Sequence, residues 1–238
     1  MLGFRPRSLG IARIGAVLFA LALAVPAAAA QETPQEKTVT FIKNLTGEWI
    51  GTCQQKTDGE DADNKYFHAK FEQTGSNTFA GKFTYYRFDP KTAEAVNIGE
   101  TTMVSTIQAD GTIKNDIIGK GKILINDQPK DQEHTVTEIL TFADENTLTG
   151  KIDGKISVSG MPFGIGKNGK IRNAESTWTI RNGVMTLDQT LKAEFKVLVV
   201  SKSFTVEAKS VAERGTDVVS LMKRDLASKP AAETEPGT

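Results

Sequence analysis

The side chains that could do chemistry in this chain are few and widely spaced. Cys53 is the one cysteine, and His68 and His134 are the two histidines. Two histidines this far apart, with no cysteine or carboxylate at ligand spacing, do not form the pattern of a metal site. By strand alternation Cys53 shares a face with Trp49. A buried thiol most often acts as a small hydrophobic side chain, and a reactive or haem-ligating role would need a nearby base or cation. The sequence therefore predicts no catalytic residue, no metal and no cofactor.

Two loops carry patterns that resemble ligand sites. The acidic run at residues 58–64 lacks the spacing and the final glutamate of a calcium loop, which favours an exposed acidic loop. The glycine-rich stretch at residues 159–170 has lysines but no following helix, so it is not a phosphate loop. It carries the apolar residues Met161, Phe163 and Ile165. We expect either a lid or portal over a barrel mouth, or a loop that folds back onto the barrel.

The first thirty residues have the pattern of an export signal. Arg5, Arg7 and Arg13 precede an uncharged apolar stretch at residues 14–25, and small residues follow up to Ala30. The stretch is shorter than the ~20 apolar residues of a membrane span. We expect cleavage after Ala30, a periplasmic or secreted mature chain, and no transmembrane anchor after signal removal.

The net charge of the chain limits the kinds of molecule that it could attract. Loss of three arginines with the signal leaves 26 basic against 29 acidic residues. A nearly neutral chain of this kind offers no broad attraction for nucleic acid.

A single cysteine permits no intramolecular disulfide, so the core must be stable without one. One domain of this length can bury enough surface to do so.

The main body alternates polar and apolar residues with a period of two, which predicts strands. Asn182-Gly183 is typical of a tight hairpin turn. A long train of strands without helices closes into a barrel or splits into two sheets. The predicted strands cover residues 48–55, 65–73, 77–88, 96–108, 112–125, 133–142, 146–158, 171–181, 184–192 and 195–208, with a short closing strand at 217–223.

The expected fold is all-β, an antiparallel up-and-down β-barrel of about 8–10 strands with a short N-terminal helix. The organisation is a signal peptide over residues 1–30, a short helical lead-in over 31–46, the β-barrel domain over 47–225 and a disordered tail over 226–238. Pro34 suits the first turn of the lead-in helix. Pro230, Pro236 and Gly237 indicate the disordered tail.

Gly47-Glu48-Trp49 follows the helical lead-in and opens the first strand. This resembles the Gly-x-Trp signature of the lipocalins and the broader calycin superfamily, and specifically an exported bacterial lipocalin-like domain. The resemblance implies that Trp49 closes the barrel floor and that a basic residue near the end of the barrel covers the indole. Lys223 or Arg224 stands where that residue would fall, and we take Arg224 with Trp49 as the barrel-closing pair.

These patterns predict an exported lipocalin-like protein that binds a small hydrophobic or amphipathic ligand, of the kind a lipid-binding protein takes, inside the barrel. One alternative is a non-enzymatic envelope protein with a filled barrel that grips a protein partner. Another is an isomerase or cyclase working in the cavity, which would need perturbed ionisable groups there. The candidate ligand-binding residues are Trp49, Phe71, Phe83, Tyr85 and Phe163.

Overall fold

The computed structural model describes residues 33–59, 63–89, 91–92, 94–125, 128–159, 165–197 and 200–228. The predicted signal at residues 1–30 lies outside these residues. The described chain forms ten strands between two helices. In chain order they are α1 Pro34–Leu45, β1 Gly47–Thr57, β2 Asp63–Gln73, β3 Thr78–Asp89, β4 Glu94–Ile107, β5 Ile113–Ile125, β6 Gln128–Asp144, β7 Thr147–Val158, β8 Ile165–Arg181, β9 Val184–Val197, β10 Val200–Arg214 and α2 Val218–Ser228.

The ten strands form one closed barrel in which each strand pairs with its neighbours in sequence and β10 returns to β1. All pairs are antiparallel, and the β1–β10 register matches Trp49 with Arg214. The turn between β8 and β9 has Asn182 at φ 53° and Gly183 at φ 76°. Positive φ at both central residues is typical of the type I′ turn, whose twist matches that of the two strands it joins. The predicted antiparallel up-and-down barrel is confirmed.

Helix α1 plugs one end of the barrel. A capping box starts it: Glu36 N donates to Thr33 Oγ1 at 3.2 Å, and Thr33 N donates to the Glu36 carboxylate at 2.8 Å. Phe41 is buried and meets Phe142 of β6 edge-on, with ring centroids 5.9 Å apart. The buried Thr38 hydroxyl donates to the Gly111 carbonyl at 2.5 Å, which ties the helix to the β4–β5 turn. The core therefore begins directly beneath α1.

An arginine of the last strand fastens this closed end. Arg214 lies over the Trp49 indole, 3.9 Å from the ring centroid. Its guanidinium donates to the carbonyls of Asn44 and Thr46 at the end of α1. Trp49 Nε1 donates to the Leu45 carbonyl at 2.7 Å. One cation thus joins the indole to the helix end, where unpaired carbonyls attract positive charge.

The structure corrects two sequence-based predictions here. Arg224 does not cover Trp49; it pairs with Glu213 on the exposed face of α2. The covering residue is Arg214, because β10 ends there and its register sets it beside Trp49. The segment predicted as a closing strand at residues 217–223 is part of helix α2. Asp217 explains this, since its carboxylate accepts from Ser220 N at 3.0 Å in the manner of an N-cap.

Helix α2 packs on the outside of the barrel against β1 and β2. Met222 and Val218 are buried against Ile50 and Tyr66. The Tyr66 hydroxyl donates to the Asp225 carboxylate at 2.6 Å. Burial, and then this bond, raises the pKa of Tyr66 to about 12. Across the described residues, neither helix has the length and apolar composition that a membrane-spanning helix needs.

Candidate ligand-binding cavity

The barrel interior is filled by side chains near α1 and contains a cavity nearer the opposite end. A cavity of about 180 Å³ lies between the packed layer and the end opposite α1. Its apolar wall combines aromatic and aliphatic side chains from many strands, chiefly Phe67, Phe83, Met103, Ile117, Trp178 and Leu187. Side chains alternate between the inside and the outside along each strand. Every strand therefore contributes alternate residues to the same interior.

Phe83 is the centre of the aromatic wall. Its ring stacks on Tyr85 with centroids 6.2 Å apart and an interplanar angle of 10°. Phe67 meets it at 5.9 Å and Trp178 at 6.4 Å, both at steep angles. Tilted and edge-on contacts of this kind are favourable for aromatic pairs. The wall presents ring faces and edges to any molecule in the cavity.

Polar side chains from several strands line the cavity toward the end opposite α1. Lys65 of β2 is 7% exposed, and its Nζ donates to Gln55 Oε1 at 2.7 Å. Gln132 and Gln189 also line the cavity. Lysine is almost never this buried without a partner, so the Lys65–Gln55 pair is a built feature of the interior. The cavity is amphipathic, with an apolar floor and polar groups nearer the end opposite α1.

His134 lines the cavity from β6, across the barrel from Lys65 of β2, and packs against a glycine. It is opposite Gly119 in the β5–β6 register. A Cβ on Gly119 would stand 2.4 Å from His134 Nε2 and 2.8 Å from Thr101 Oγ1, so only glycine leaves room for the ring. Burial lowers the pKa of His134 below its ordinary value. The imidazole is therefore neutral near pH 7 and can both donate and accept.

Tyr85 supplies a hydroxyl that stays protonated. Burial, and then the neighbouring Cys53, raises the pKa of Tyr85, while a hydrogen bond with Thr101 acts in the opposite direction. Cys53 is itself buried and lines the same cavity. The Tyr85 hydroxyl is therefore available as a hydrogen-bond donor over the whole physiological pH range.

A buried carboxylate lies beneath the cavity floor. Glu138 of β6 is fully buried and accepts from Asn115 Nδ2 at 2.6 Å, from Ser176 Oγ, and from Trp178 Nε1 at 3.2 Å. Burial raises the pKa of Glu138, although the three hydrogen bonds act to lower it. Gly150 makes the approach possible, because a Cβ there would stand 2.5 Å from Ser176 Oγ. The network fixes the Trp178 indole, which is part of the cavity wall.

The structure distributes the sequence-predicted residues between the cavity and the layer below it. Phe83 and Tyr85 line the cavity. Trp49 lies at the closed end under Arg214. Phe71 is buried next to Phe83, with centroids 5.4 Å apart, and is not part of the cavity lining. Phe163 lies outside the described residues, with the rest of residues 160–164, whereas residues 165–170 of the predicted glycine-rich loop belong to strand β8.

Sequence reasoning missed several inward polar side chains. His134 and Glu138 share strand parity with the apolar Val136 and Leu140, which was the available signal that they point inward. Lys65 likewise lies two residues from Phe67 on β2 and therefore shares its inward face. His68, by contrast, lies on the outer face and bonds to Glu48 at 3.0 Å, as expected of a residue outside the barrel. Within the described residues, no cluster of three or more His, Cys, Asp or Glu is placed to hold a metal ion.

The closed barrel, the plugging helix and the interior cavity define the class of protein as a ten-stranded antiparallel up-and-down barrel with an internal cavity. Among solved structures, the chain is similar to Rv2717c from M. tuberculosis, with 11% identity over 75% of this chain and 98% of that chain, at a TM-score of 0.49. It is also similar to the S-type phycobiliprotein lyase CPES from Guillardia theta, with 10% identity over 79% of this chain and 99% of that chain, at a TM-score of 0.37. Neither likeness reaches a TM-score of 0.5, so neither bears on function. No protein-family model and no curated protein matches the chain.

Proposed function

We propose that this chain is an exported binding protein that holds a small apolar or amphipathic ligand in its barrel cavity. The observation that carries the proposal is the cavity itself, with its aromatic wall around Phe83 and its hydrogen-bonded polar pair Lys65 and Gln55. Mostly apolar pockets with a few placed polar groups are typical of small-molecule sites. The cavity also argues against the alternative of a barrel filled by side chains.

The size of the cavity limits the ligand. Its volume is about 180 Å³. An apolar cavity of about 150 Å³ in another protein admits benzene, whereas drug-sized ligands occupy about 300–1,000 Å³. The cavity as it stands therefore suits a molecule with one ring or a short chain. A tetrapyrrole or a long acyl chain would require the wall to move.

A one-ring heavy-atom quencher tests occupancy of the cavity. The chain has two tryptophans. Trp178 borders the cavity, whereas Trp49 lies at the closed end. Titration of the mature chain, residues 31–238, with 4-bromobenzamide should quench the Trp178 fluorescence. A Trp178→Phe variant, which retains Trp49, identifies the part of the quenching that belongs to Trp178.

A pair of variants on β10 separates the interior from the surface. Ala208→Phe places a ring into the cavity, which Ala208 lines. Val211→Phe places the same ring on the outer face, where Val211 is exposed. The first variant should abolish quenching and the second should leave it unchanged. Equal quenching in the two variants would overturn the cavity as the binding site.

Export is the second part of the proposal, and it rests on the charged and apolar pattern of residues 1–30. Fractionation of the native host, followed by intact mass measurement, tests it. The expected result is a periplasmic or secreted chain that begins at Gln31. A full-length chain in the cytoplasm would refute it.

A cavity isomerase or cyclase is the second candidate function. The observation that favours it is the presence of His134 and Tyr85, a neutral base and a protonated acid, in one cavity lining. A ligand that co-purifies with the protein should be incubated with it in D₂O and weighed. An isomerase would exchange ligand protons at a rate that falls in His134→Gln, whereas a binding protein leaves the ligand mass unchanged.

A further inference from the structure

The hydrogen-bonded wall of the barrel is incomplete on one side of the cavity. Pairing between β4 and β5 ends at Gly99 and Gly121 within the described residues. Both strands continue beyond this point: β4 stays paired with β3 as far as Glu94, and β5 stays paired with β6 as far as Ile125. The two strands therefore separate and leave a gap in the wall, here called the β4–β5 gap, between the glycine pair and the barrel end opposite α1.

A β-bulge in β4 explains why pairing ends here. The β3–β4 register shifts between Tyr85 and Tyr86, and Ile98 is the extra residue on β4. Such a bulge bends its strand and can terminate pairing. Asn97 Oδ1 accepts from Gly99 N at 2.9 Å, so this N–H is used within β4 rather than by β5. The bulge therefore turns β4 away from β5 at the glycine pair.

The β4–β5 gap joins the cavity to a groove on the outer surface of β4, β5 and β6. Ile98 lines the cavity, whereas its neighbour Asn97 lines the groove. The residues that line both are Gly99, Lys120, Gly121, Lys122 and Gln132. Because the two linings share these residues, the inside and the outside of the barrel meet across the gap.

Apolar side chains fill the barrel end opposite α1 on the side of β7, β9 and β10. Val158, Ala193 and Phe195 are buried there in one cluster. Phe195 meets Phe204 edge-on, with ring centroids 5.8 Å apart. Ala193 also lines the cavity, so the cluster lies next to it. A ligand chain that leaves the cavity therefore meets packed side chains on this side and the gap on the side of β4 and β5.

The outer groove is polar and has charges of both signs. Glu100 and Asp131 line it, and Lys120 pairs there with Glu133 at 3.2 Å. Such groups can form hydrogen bonds with an uncharged polar chain, whereas their mixed charges favour neither sign of net charge. The cavity of about 180 Å³ has room for one ring or a short apolar chain, so a longer ligand must extend beyond it.

We infer that the ligand is an amphipathic molecule that lies across the β4–β5 gap. Its ring or short apolar chain lies in the cavity beside Phe83 and Trp178, and an uncharged polar chain lies in the outer groove between Asn97 and Lys122. This rests on the proposed function and adds to it the chemical class of the ligand and the position of its polar part.

A pair of probes with and without a polar chain tests the inference. They are 4-bromobenzamide and its derivative with a tri(ethylene glycol) chain on the amide nitrogen, and both quench Trp178 if the ring enters the cavity. The mature chain should bind the two probes with dissociation constants within about threefold of each other, because the polar chain leaves through the gap. If the polar chain had to fit inside with the ring, the derivative should bind at least about 10-fold more weakly.

Labelled variants locate the polar chain of the derivative. Lys122 is exposed and borders both the cavity and the groove, so reaction of Lys122→Cys with N-cyclohexylmaleimide places a bulky group at the gap. Cys53 is buried, and intact mass should show a single adduct. The affinity for the derivative relative to 4-bromobenzamide should fall about 10-fold or more in the labelled protein. Lys196→Cys, at an exposed position of β9 near the same barrel end, is the matched control, and its adduct should keep the ratio.

Asp131→Cys is a second labelling position for the case in which Lys122→Cys fails to fold, since Asp131 lines the groove opposite Lys122 in the β5–β6 register. Binding of the derivative at least about 10-fold more weakly than 4-bromobenzamide by the parent would overturn the inference while leaving the cavity function intact. An unchanged ratio with the label at the gap would also overturn it, as would an equal or larger fall with the label on Lys196→Cys. Failure of the folded parent to bind 4-bromobenzamide would refute the proposed function itself.

Discussion

Glu138 controls the stability of the barrel through three hydrogen bonds that it accepts. The donors are Asn115 Nδ2, Ser176 Oγ and Trp178 Nε1, and they lie inside the barrel. Glu138→Ala removes the acceptor and leaves the donors buried without a partner. Each such donor costs about 1–3 kcal/mol, so the loss of all three partners should cost the variant about 3–9 kcal/mol from a total of about 5–15 kcal/mol.

Glu138→Gln keeps the shape and removes the charge. The glutamine oxygen can still accept from Ser176 and Trp178. Its NH₂ group would face Asn115 Nδ2, but rotation of the Asn115 amide would present Oδ1, a buried atom that has no hydrogen-bond partner among the described residues. The variant should therefore stay within about 1.5 kcal/mol of the parent, the size of one net hydrogen bond.

The pH dependence gives a second, independent test of the same carboxylate. Burial raises the pKa of Glu138 above its ordinary value of 4.5, so the folded state holds the proton more tightly than the unfolded state. The stability linked to this group is complete below pH 4.5 and is lost as the pH rises through the folded pKa. Relative to Glu138→Gln, the parent should thus become less stable as the pH rises above 4.5.

Urea unfolding of the parent and the two variants at several pH values measures both effects, with tryptophan fluorescence and circular dichroism as separate probes. Parallel stability–pH curves for the parent and Glu138→Gln would refute the raised pKa. A loss below about 1 kcal/mol in Glu138→Ala would refute the network as the source of stability.

Three further predictions concern other parts of the barrel. Arg214→Met should lower the free energy of unfolding by about 1–3 kcal/mol, because it removes two charged hydrogen bonds to carbonyls at the end of α1 and the contact with the Trp49 indole. The control Arg224→Met removes only an exposed ion pair and should change the free energy of unfolding by less than about 0.5 kcal/mol. Equal losses of the two variants in urea unfolding would contradict the closing role of Arg214. Ser105→Ala should leave thermal stability equal or raise it by up to about 1 kcal/mol, since it removes a buried hydroxyl without a partner among the described residues, and a clear loss would reveal a missed bond. Gly119→Ala should displace the His134 ring, and the pKa of His134, measured by NMR titration, should then rise toward 6.5. The lowered pKa makes the parent lose stability as the pH falls below 6.5, so this loss of stability should be smaller in the variant. An unchanged titration of His134 would show that the ring has another position open to it.

The strands could be predicted from the sequence because alternation is a local signal. Ten predicted segments match ten observed strands, and Asn182-Gly183 marks its hairpin directly. The segment from Val218 was harder, because a short apolar stretch fits a strand or a helix equally well. The N-cap at Asp217 and the burial of Val218 and Met222 on one helix face decide it. The predicted tail at residues 226–238 begins within α2, which continues to Ser228, and its remainder lies outside the described residues.

The candidate site could be predicted only in part. Aromatic residues such as Phe83 and Tyr85 follow from the alternation of β3. The partners of Glu138 do not, because they depend on cross-strand register. Asn115 lies opposite Glu138, whereas Ser176 is on β8, two strands away from β6, so its approach depends on both the β6–β7 and the β7–β8 registers. No local pattern reveals which side chains those alignments bring together.

The position of the Glu138 network is itself an argument for a binding function. An apolar residue of the same size would suit a packed barrel better, since a buried carboxylate is costly even with its bonds satisfied. The network lies directly under the cavity floor and holds the Trp178 indole at 3.2 Å. Trp49, at the closed end under α1, is fixed instead by a main-chain carbonyl and Arg214. Costly polar groups concentrate where natural proteins function, and here they fix the one tryptophan that a cavity ligand would touch.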